Sequence, residues 1–255
     1  MTTKGLYLHR IVLKEPAALH RFGRDHVHDR TGRGLPDHPF DPGYMVHVLL
    51  KGLFGDLAPA VFFQDRRGIL GYAPADEGTL RRCAQETALP EVFSAVEWSQ
   101  FASKQMPESW PSGHRLGFKV RVCPVVRGPK GHGSAPGVQA RKEDPEVDAY
   151  LACLWRDPTC PAREEVYREW LEGQFRQHGG TVLESARMTA FQLTRLLRRT
   201  QDVGEGRTAR GLTRPDATFE GCLQIESSEM FKQMLARGLG RHRAFGFGLL
   251  LLRPV

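Results

Sequence analysis

No stretch of this sequence reaches the roughly 18 consecutive apolar residues of a membrane-spanning helix. The opening MTTKGLYLHRIVL also lacks the basic, apolar and small-residue regions of a secretory signal. No membrane partner is expected, and a cytoplasmic location is. Cysteine is sparse: Cys83, Cys123, Cys153, Cys160 and Cys222 are scattered, odd in number and form no CxxC pair. This fits a reducing cytoplasm and argues against a structural zinc site. The chain also contains no GxSxG, no HExxH, no P-loop and no helix with paired carboxylates. Their absence removes the serine hydrolase, zinc protease and P-loop NTPase readings. Low-complexity segments and short repeats are absent as well.

What is present is an ordinary globular composition, 40% hydrophobic and 25% charged over 255 residues. That length allows one large domain or two small ones. The formal charge is +7, a surplus that nucleic-acid binders share.

LYLHRIVL (6–13) alternates as a strand does. A polar stretch rich in His, Arg, Gly and Pro follows to about Phe40. Asp41 and Pro42 then supply an N-cap and a first helical residue for a helix ending near Phe54. PAVFFQ and GILGYA read as a hairpin, EGTLRRCAQETA as a helix, VFSAVEW as a strand, and HRLGFKVRVCPVV as an alternating strand. The order β-α-β-β-α-β is that of a ferredoxin-like unit, expected over residues 1–126.

Residues 127–146, dense in Gly, Pro and charge, read as a linker or mobile loop. Over 147–255, two helical segments end at Gly179-Gly180. Two strand-like segments follow, then the helix SSEMFKQMLARG, a glycine loop and the strand FGLLLLRPV. The expected fold is α+β: two tandem ferredoxin-like units (RRM/RAMP-like), the second decorated with extra helices and a basic hairpin or finger.

Three features suggest chemistry. On the first helix Tyr44, His47 and Lys51 lie within roughly 60° of one another, opposite Met45, Val46, Leu49, Leu50, Leu53 and Phe54. The plain reading of that stripe is a solvated face. The sharper one is a general acid/base beside a phenol and an ammonium, near a reacting phosphate. Secondly, Arg187, Arg195, Arg198, Arg199, Arg207, Arg210 and Arg214 fall in a segment holding only Asp202 and Glu205 as acids. This segment, with its turn near 203–206, is either a flexible charged loop or a ribbon suited to phosphates and guanine edges. Thirdly, His20, His26, His28 and His38 invite a metal reading. Nothing supplies the rest of a ligand set at standard spacing, so no metal and no cofactor is expected. Arg21, Arg24, Arg30 and Arg33 in the same stretch suit RNA.

GLGRHRAFGFG, Gly238 to Gly248, has the wrong surroundings for a dinucleotide loop, because it follows a helix and enters a strand. With LLLLRP after it, it resembles the glycine-rich C-terminal loop of the CRISPR repeat-RNA-processing endoribonucleases of the RAMP superfamily. The likeness is closest to the CasE branch of the type I-E systems. LYLHRIVL is similar to that family's first strand, Tyr44-x-x-His47 to its Tyr-x-x-His, LGFKVRVCPVVR to the strand ending its first domain, and FEGCLQI to the strand before its final helix. The Arg/His insertion and the helices over 148–178 depart from that branch, and a related nuclease of another subtype, type IV included, stays open.

The resemblance implies a metal-independent endoribonuclease that cuts precursor RNA at repeat hairpins, leaving 2′,3′-cyclic phosphate and 5′-OH ends, and stays bound to its product. His47 is then the acid/base group, Tyr44 its neighbour and Lys51 a charge stabiliser, with Arg24, Arg33 and Arg243 as rivals. Arg33 and the hairpin arginines are expected on RNA, together with Gly238, Gly240, Arg241, His242, Gly246 and Gly248. The implied partners are CRISPR repeat hairpin RNA and other CRISPR effector subunits. The alternative is a non-catalytic RAMP subunit that only binds guide RNA, which would not need the Tyr-His-Lys stripe.

Overall fold

Two four-stranded antiparallel sheets, each with the same strand order, organise the chain. The computed structural model describes residues 5–14, 41–127, 146–199 and 209–255, without the side chains of 197–199 and 209–211. The first sheet contains β1 (Tyr7–Ile11), β2 (Val61–Asp65), β3 (Gly68–Ala73) and β4 (Ala102–Gln105), in the order β2-β3-β1-β4. Helix α1 (Pro42–Phe54) connects β1 to β2, while α2 (Glu77–Thr87) and the short α3 (Pro90–Ser94) connect β3 to β4. This is the ferredoxin-like arrangement.

The second sheet contains β5 (Arg115–Val122), β8 (Thr181–Arg199), β9 (Ala209–Ile225) and β10 (Leu250–Arg253), in the order β10-β5-β9-β8. Between β5 and β8 come a two-stranded ribbon, β6 (Val125–Arg127) with β7 (Glu146–Asp148), and helices α4 (Ala149–Arg156) and α5 (Arg163–Gln174). Helix α6 (Ser228–Arg237) joins β9 to β10. The expected α+β fold of two ferredoxin-like units, the second decorated, is the fold observed. No helix among the described residues is long and apolar enough to cross a membrane.

Three local expectations are corrected. The strand Arg115–Val122, expected to close the first sheet, pairs with β9 and β10 in the second. The first sheet is closed instead by Ala102–Gln105, which pairs with β1. That segment is short, polar and mostly exposed, so it carries no alternating apolar signal. VFSAVEW is not a strand: Pro90 starts a helical turn, and the Trp98 indole N–H folds back to donate to the Phe93 carbonyl at 2.8 Å. Nor are all thiols free. Cys153 and Cys160 form a disulfide because the turn after α4 returns Cys160 toward its last turn, with Cα atoms 5.9 Å apart.

Two large apolar clusters fill the molecule. One packs the buried stripe of α1 against Ile11, Phe62 and Ile69 of the first sheet and Leu80 and Ala84 of α2. The other places α5 and α6 against Phe118, Val120, Phe219 and Leu223 of the second sheet. Val61 and Tyr72 of the first sheet belong to this second cluster, and the Tyr72 hydroxyl donates to the Leu250 carbonyl at 3.0 Å. Strand β9 pairs with β5 only from Ala217 onward. Residues 209–216, paired with 192–199 of β8, therefore project beyond the sheet as a two-stranded arm.

Candidate active site

Helix α1 begins where the sequence places it. The Asp41 carboxylate accepts from the Tyr44 backbone N–H at 3.0 Å, and Pro42 fills the first turn, where its missing N–H costs nothing. The six apolar residues named above are all buried. Tyr44 and His47 lie half-buried on the other face with ring centroids 6.3 Å apart. Lys51 is exposed, and its ammonium donates to the Gly55 carbonyl at 3.1 Å. Burial first, and the Lys51 charge second, hold the His47 imidazole below its ordinary range. His47 is thus neutral near pH 7 and ready to take a proton.

The glycine loop meets this helix from the other end of the sequence. The loop turns through a single 3-10 turn, Arg243–Phe245, and the Phe245 ring lies 5.9 Å from that of Tyr44. Gly43 permits the approach: a Cβ there would collide with the Phe245 carbonyl oxygen and lie 2.7 Å from its carbonyl carbon. Gly238, Gly240, Gly246 and Gly248 all have positive φ. At Gly248 a side chain would strike the Leu239 carbonyl, the residue whose N–H donates to the Gly248 oxygen at 2.9 Å. These glycines first serve close approach of protein to protein.

The loop is also joined to the arm. Phe247 is buried with Cys123, Val125 and Leu196 of β8, and Phe245 packs on that cluster. The Arg121 guanidinium lies over the Phe247 ring at 4.4 Å and binds Asp216 through two 2.8 Å hydrogen bonds. Asp216 also accepts from Gln192 and Thr194 at the root of the arm. Those donors and the Arg121 charge hold its carboxyl low against the opposing effect of burial.

The basic residues divide. Arg187 and Arg195 are exposed on β8, opposite Glu220 and Thr213. Arg214 is buried, 3.6 Å from Glu146. Arg241 and His242 both bind Glu146, His242 through Nε2 at 2.8 Å. The Arg243 guanidinium donates to the Arg237 carbonyl at 2.7 Å. Arg198, Arg199 and Arg210 lie on the arm's strands, but their side chains are outside the described residues. Arg24, Arg33 and Arg207, with His20, His26, His28 and His38, lie wholly outside them. Among the described residues no three or more His, Cys, Asp or Glu side chains group as a metal site.

The structure thus brings Tyr44, His47 and the glycine loop together at the foot of the arm. Sequence reading missed Phe245, Phe247, Glu146, Arg121 and Asp216. The Phe-Gly-Phe alternation beside the basic triplet signalled the first two. Nothing local signalled the others: Arg121 meets Asp216 across 95 residues, and Glu146 meets Arg241 and His242 across 95 and 96.

Two ferredoxin-like units, with a glycine loop of the second seated on the first helix of the first and a two-stranded arm beside it, make up the molecule. The chain belongs to the CRISPR-associated protein family, whose model matches residues 6–254. Its fold is similar to that of the CRISPR endoribonuclease Cse3 bound to a 19-nucleotide RNA, at 19% identity and TM-score 0.58, covering 98% of this chain and all of that one. Thermus thermophilus Cse3 bound to an RNA representing a pre-cleavage complex matches at 20% identity and TM-score 0.51, over 98% and 100% of the two chains. A CRISPR-associated protein from Thermus thermophilus matches at 18% identity and TM-score 0.51, over 97% and 100%. No curated protein matches significantly.

Proposed function

We propose that this protein is an endoribonuclease that cleaves CRISPR precursor RNA at repeat hairpins without a metal ion and keeps the product bound. One observation carries the reading. Phe245 of the glycine loop packs on Tyr44, beside the half-buried His47, near the root of the arm that exposes Arg195. A site that only binds RNA needs no such tyrosine–histidine pair there. The family match and the fold likeness to Cse3 support the same reading.

In this reaction the ribose 2′-oxygen attacks the adjacent phosphorus in line while the bond to the 5′-oxygen breaks. His47 accepts the 2′ proton, and a protonated group returns one to the departing 5′-oxygen. The products are a 2′,3′-cyclic phosphate and a 5′-hydroxyl. Lys51, or Arg243 through the donors its Arg237 contact leaves, neutralises the extra charge on the pentacoordinate phosphate. Strand β8 grips the hairpin backbone with Arg195 on the arm and Arg187 below it in the sheet, so product leaves slowly.

The purified protein is expected to cleave a repeat hairpin in excess EDTA. It should fail on the same RNA carrying one 2′-deoxy sugar at the cut site. Cleavage that needs metal, or that ignores the deoxy sugar, overturns the mechanism. Tight binding with no cleavage by the intact protein leaves the non-catalytic RAMP subunit instead. His47→Ala tests the assignment separately: full activity moves the chemistry to the arginines.

A further inference from the structure

Glu146 opens β7, and its carboxylate meets the glycine loop at Arg241 and His242. One oxygen accepts from Arg241 Nη1 and the other from His242 Nε2, with Arg214 at 3.6 Å. The side chains of Glu146, His242 and Arg214 are only 12%, 8% and 9% exposed. In so dry a cluster the ion pairs are stiff, and removing one partner leaves charge stranded.

His242 is also the one non-glycine residue with positive φ among those described, at φ 59° and ψ 31°. That left-handed conformation is unfavourable for an L-residue, and the bond to Glu146 holds the side chain of the residue that adopts it. The Phe245 N–H donates to the His242 carbonyl at 2.9 Å, which ties the phenylalanine to the residue that Glu146 grips. Phe245 then presses its backbone on Gly43 and its ring toward Tyr44, and Tyr44 neighbours His47.

We infer that Glu146 is a positioning residue for the His47 site: its carboxylate fixes the turn at 241–245, and the turn orients Tyr44 and His47 through Phe245. This rests on the ribonuclease reading for its effect on rate, but not for its effect on the histidine. A competing role, in which Glu146 merely masks Arg241 and His242 from RNA, makes the opposite prediction for binding.

The test uses the full chain and three readouts. These are single-turnover cleavage of a repeat hairpin, affinity for the 2′-deoxy hairpin, and the His47 titration followed by NMR without RNA. Glu146→Ala is expected to slow cleavage about 10- to 100-fold, as small misplacements of reacting groups do. Affinity for the deoxy RNA should change less than about threefold, since Glu146 touches the loop rather than the nucleic acid. The His47 midpoint should shift, because the Tyr44 ring beside it loses the Phe245 contact that positions it. Glu146→Gln keeps the volume and one acceptor, so a smaller loss is expected, and it decides the matter if Glu146→Ala does not fold. Glu146→Gln combined with His242→Ala should lose less than the product of the two single losses, because the two share a contact while Glu146 also holds Arg241.

A folded variant with unchanged rate and unchanged His47 titration overturns the proposal, as does tighter RNA binding at unchanged rate. If the unmodified protein does not cleave RNA, the ribonuclease reading fails. The RNA-free His47 titration still decides the role of Glu146.

Discussion

His47 and Gly43 occupy one helix turn, and each makes a prediction against the ordinary expectation for its type. Histidine normally titrates near 6.5, but burial and Lys51 push His47 lower. A depressed base loses activity only when protonated, so the acid limb of the cleavage profile should fall below pH 6.5. Lys51→Ala removes the smaller of the two causes, and the limb should move part of the way up. A pH–rate series on both proteins measures this. At Gly43, replacement by alanine in a helix would normally stabilise by roughly 1 kcal/mol. Here the new Cβ would collide with the Phe245 backbone, which cannot swing away as a side chain can. Gly43→Ala should therefore destabilise by about 1–3 kcal/mol and slow cleavage, read by denaturant melts and single-turnover rates.

The arm is the element that most extends the fold beyond two plain ferredoxin-like units. Its strands outrun β5, so its position depends on the root, where Asp216 gathers Arg121, Gln192 and Thr194. If β8 holds RNA backbone along the arm and at its foot, Arg195→Ala on the arm and Arg187→Ala below it should each weaken binding across unrelated hairpins. Each should also reduce the slope of log affinity against log salt by about one contact. Fluorescence titrations at several salt concentrations give that slope, and an unchanged slope removes the arm from the interface. The arm was legible because arginine density and alternation are local signals. The closing strand of the first sheet was not: Ala102–Gln105 is an exposed edge with nothing to alternate. The more apolar Arg115–Val122 read as the better strand and was given the wrong sheet.

Among the described residues, His9 and Glu146 carry the largest shifts that shape the response to acid, with His47 and Asp216 adding to them. His9 on β1 is fully buried against Phe101, its Nδ1 2.6 Å from the Ser103 hydroxyl, and burial pushes it down to about 4. The unfolded chain binds a proton near 6.5 that the native state refuses. Stability is therefore whole above pH 6.5 and falls as pH drops toward 4, by on the order of 3 kcal/mol at the bottom. Glu146 is held down to about 2, first by its His242 hydrogen bond and then by Arg241. Its contribution is present above about 4.5 and is lost as pH falls toward 2. Thermal melts should show a decline from pH 6.5 to 4 and a second below 4.5. In Glu146→Gln the second step should shrink while the first remains.

The sequence by itself determined most of the helices and strands, the ferredoxin-like order, the two faces of α1 and the basic arm. Each of these follows from local periodicity, capping or charge density, which act over a few residues. Only the tertiary structure decided that the last loop sits on the first helix, that Arg115–Val122 belongs to the second sheet, and that Cys153 meets Cys160. It alone brought Glu146 under His242 and Asp216 under Arg121. Those pairings depend on packing and desolvated charge between segments far apart in the chain, and no local pattern encodes which distant carboxylate a guanidinium will find.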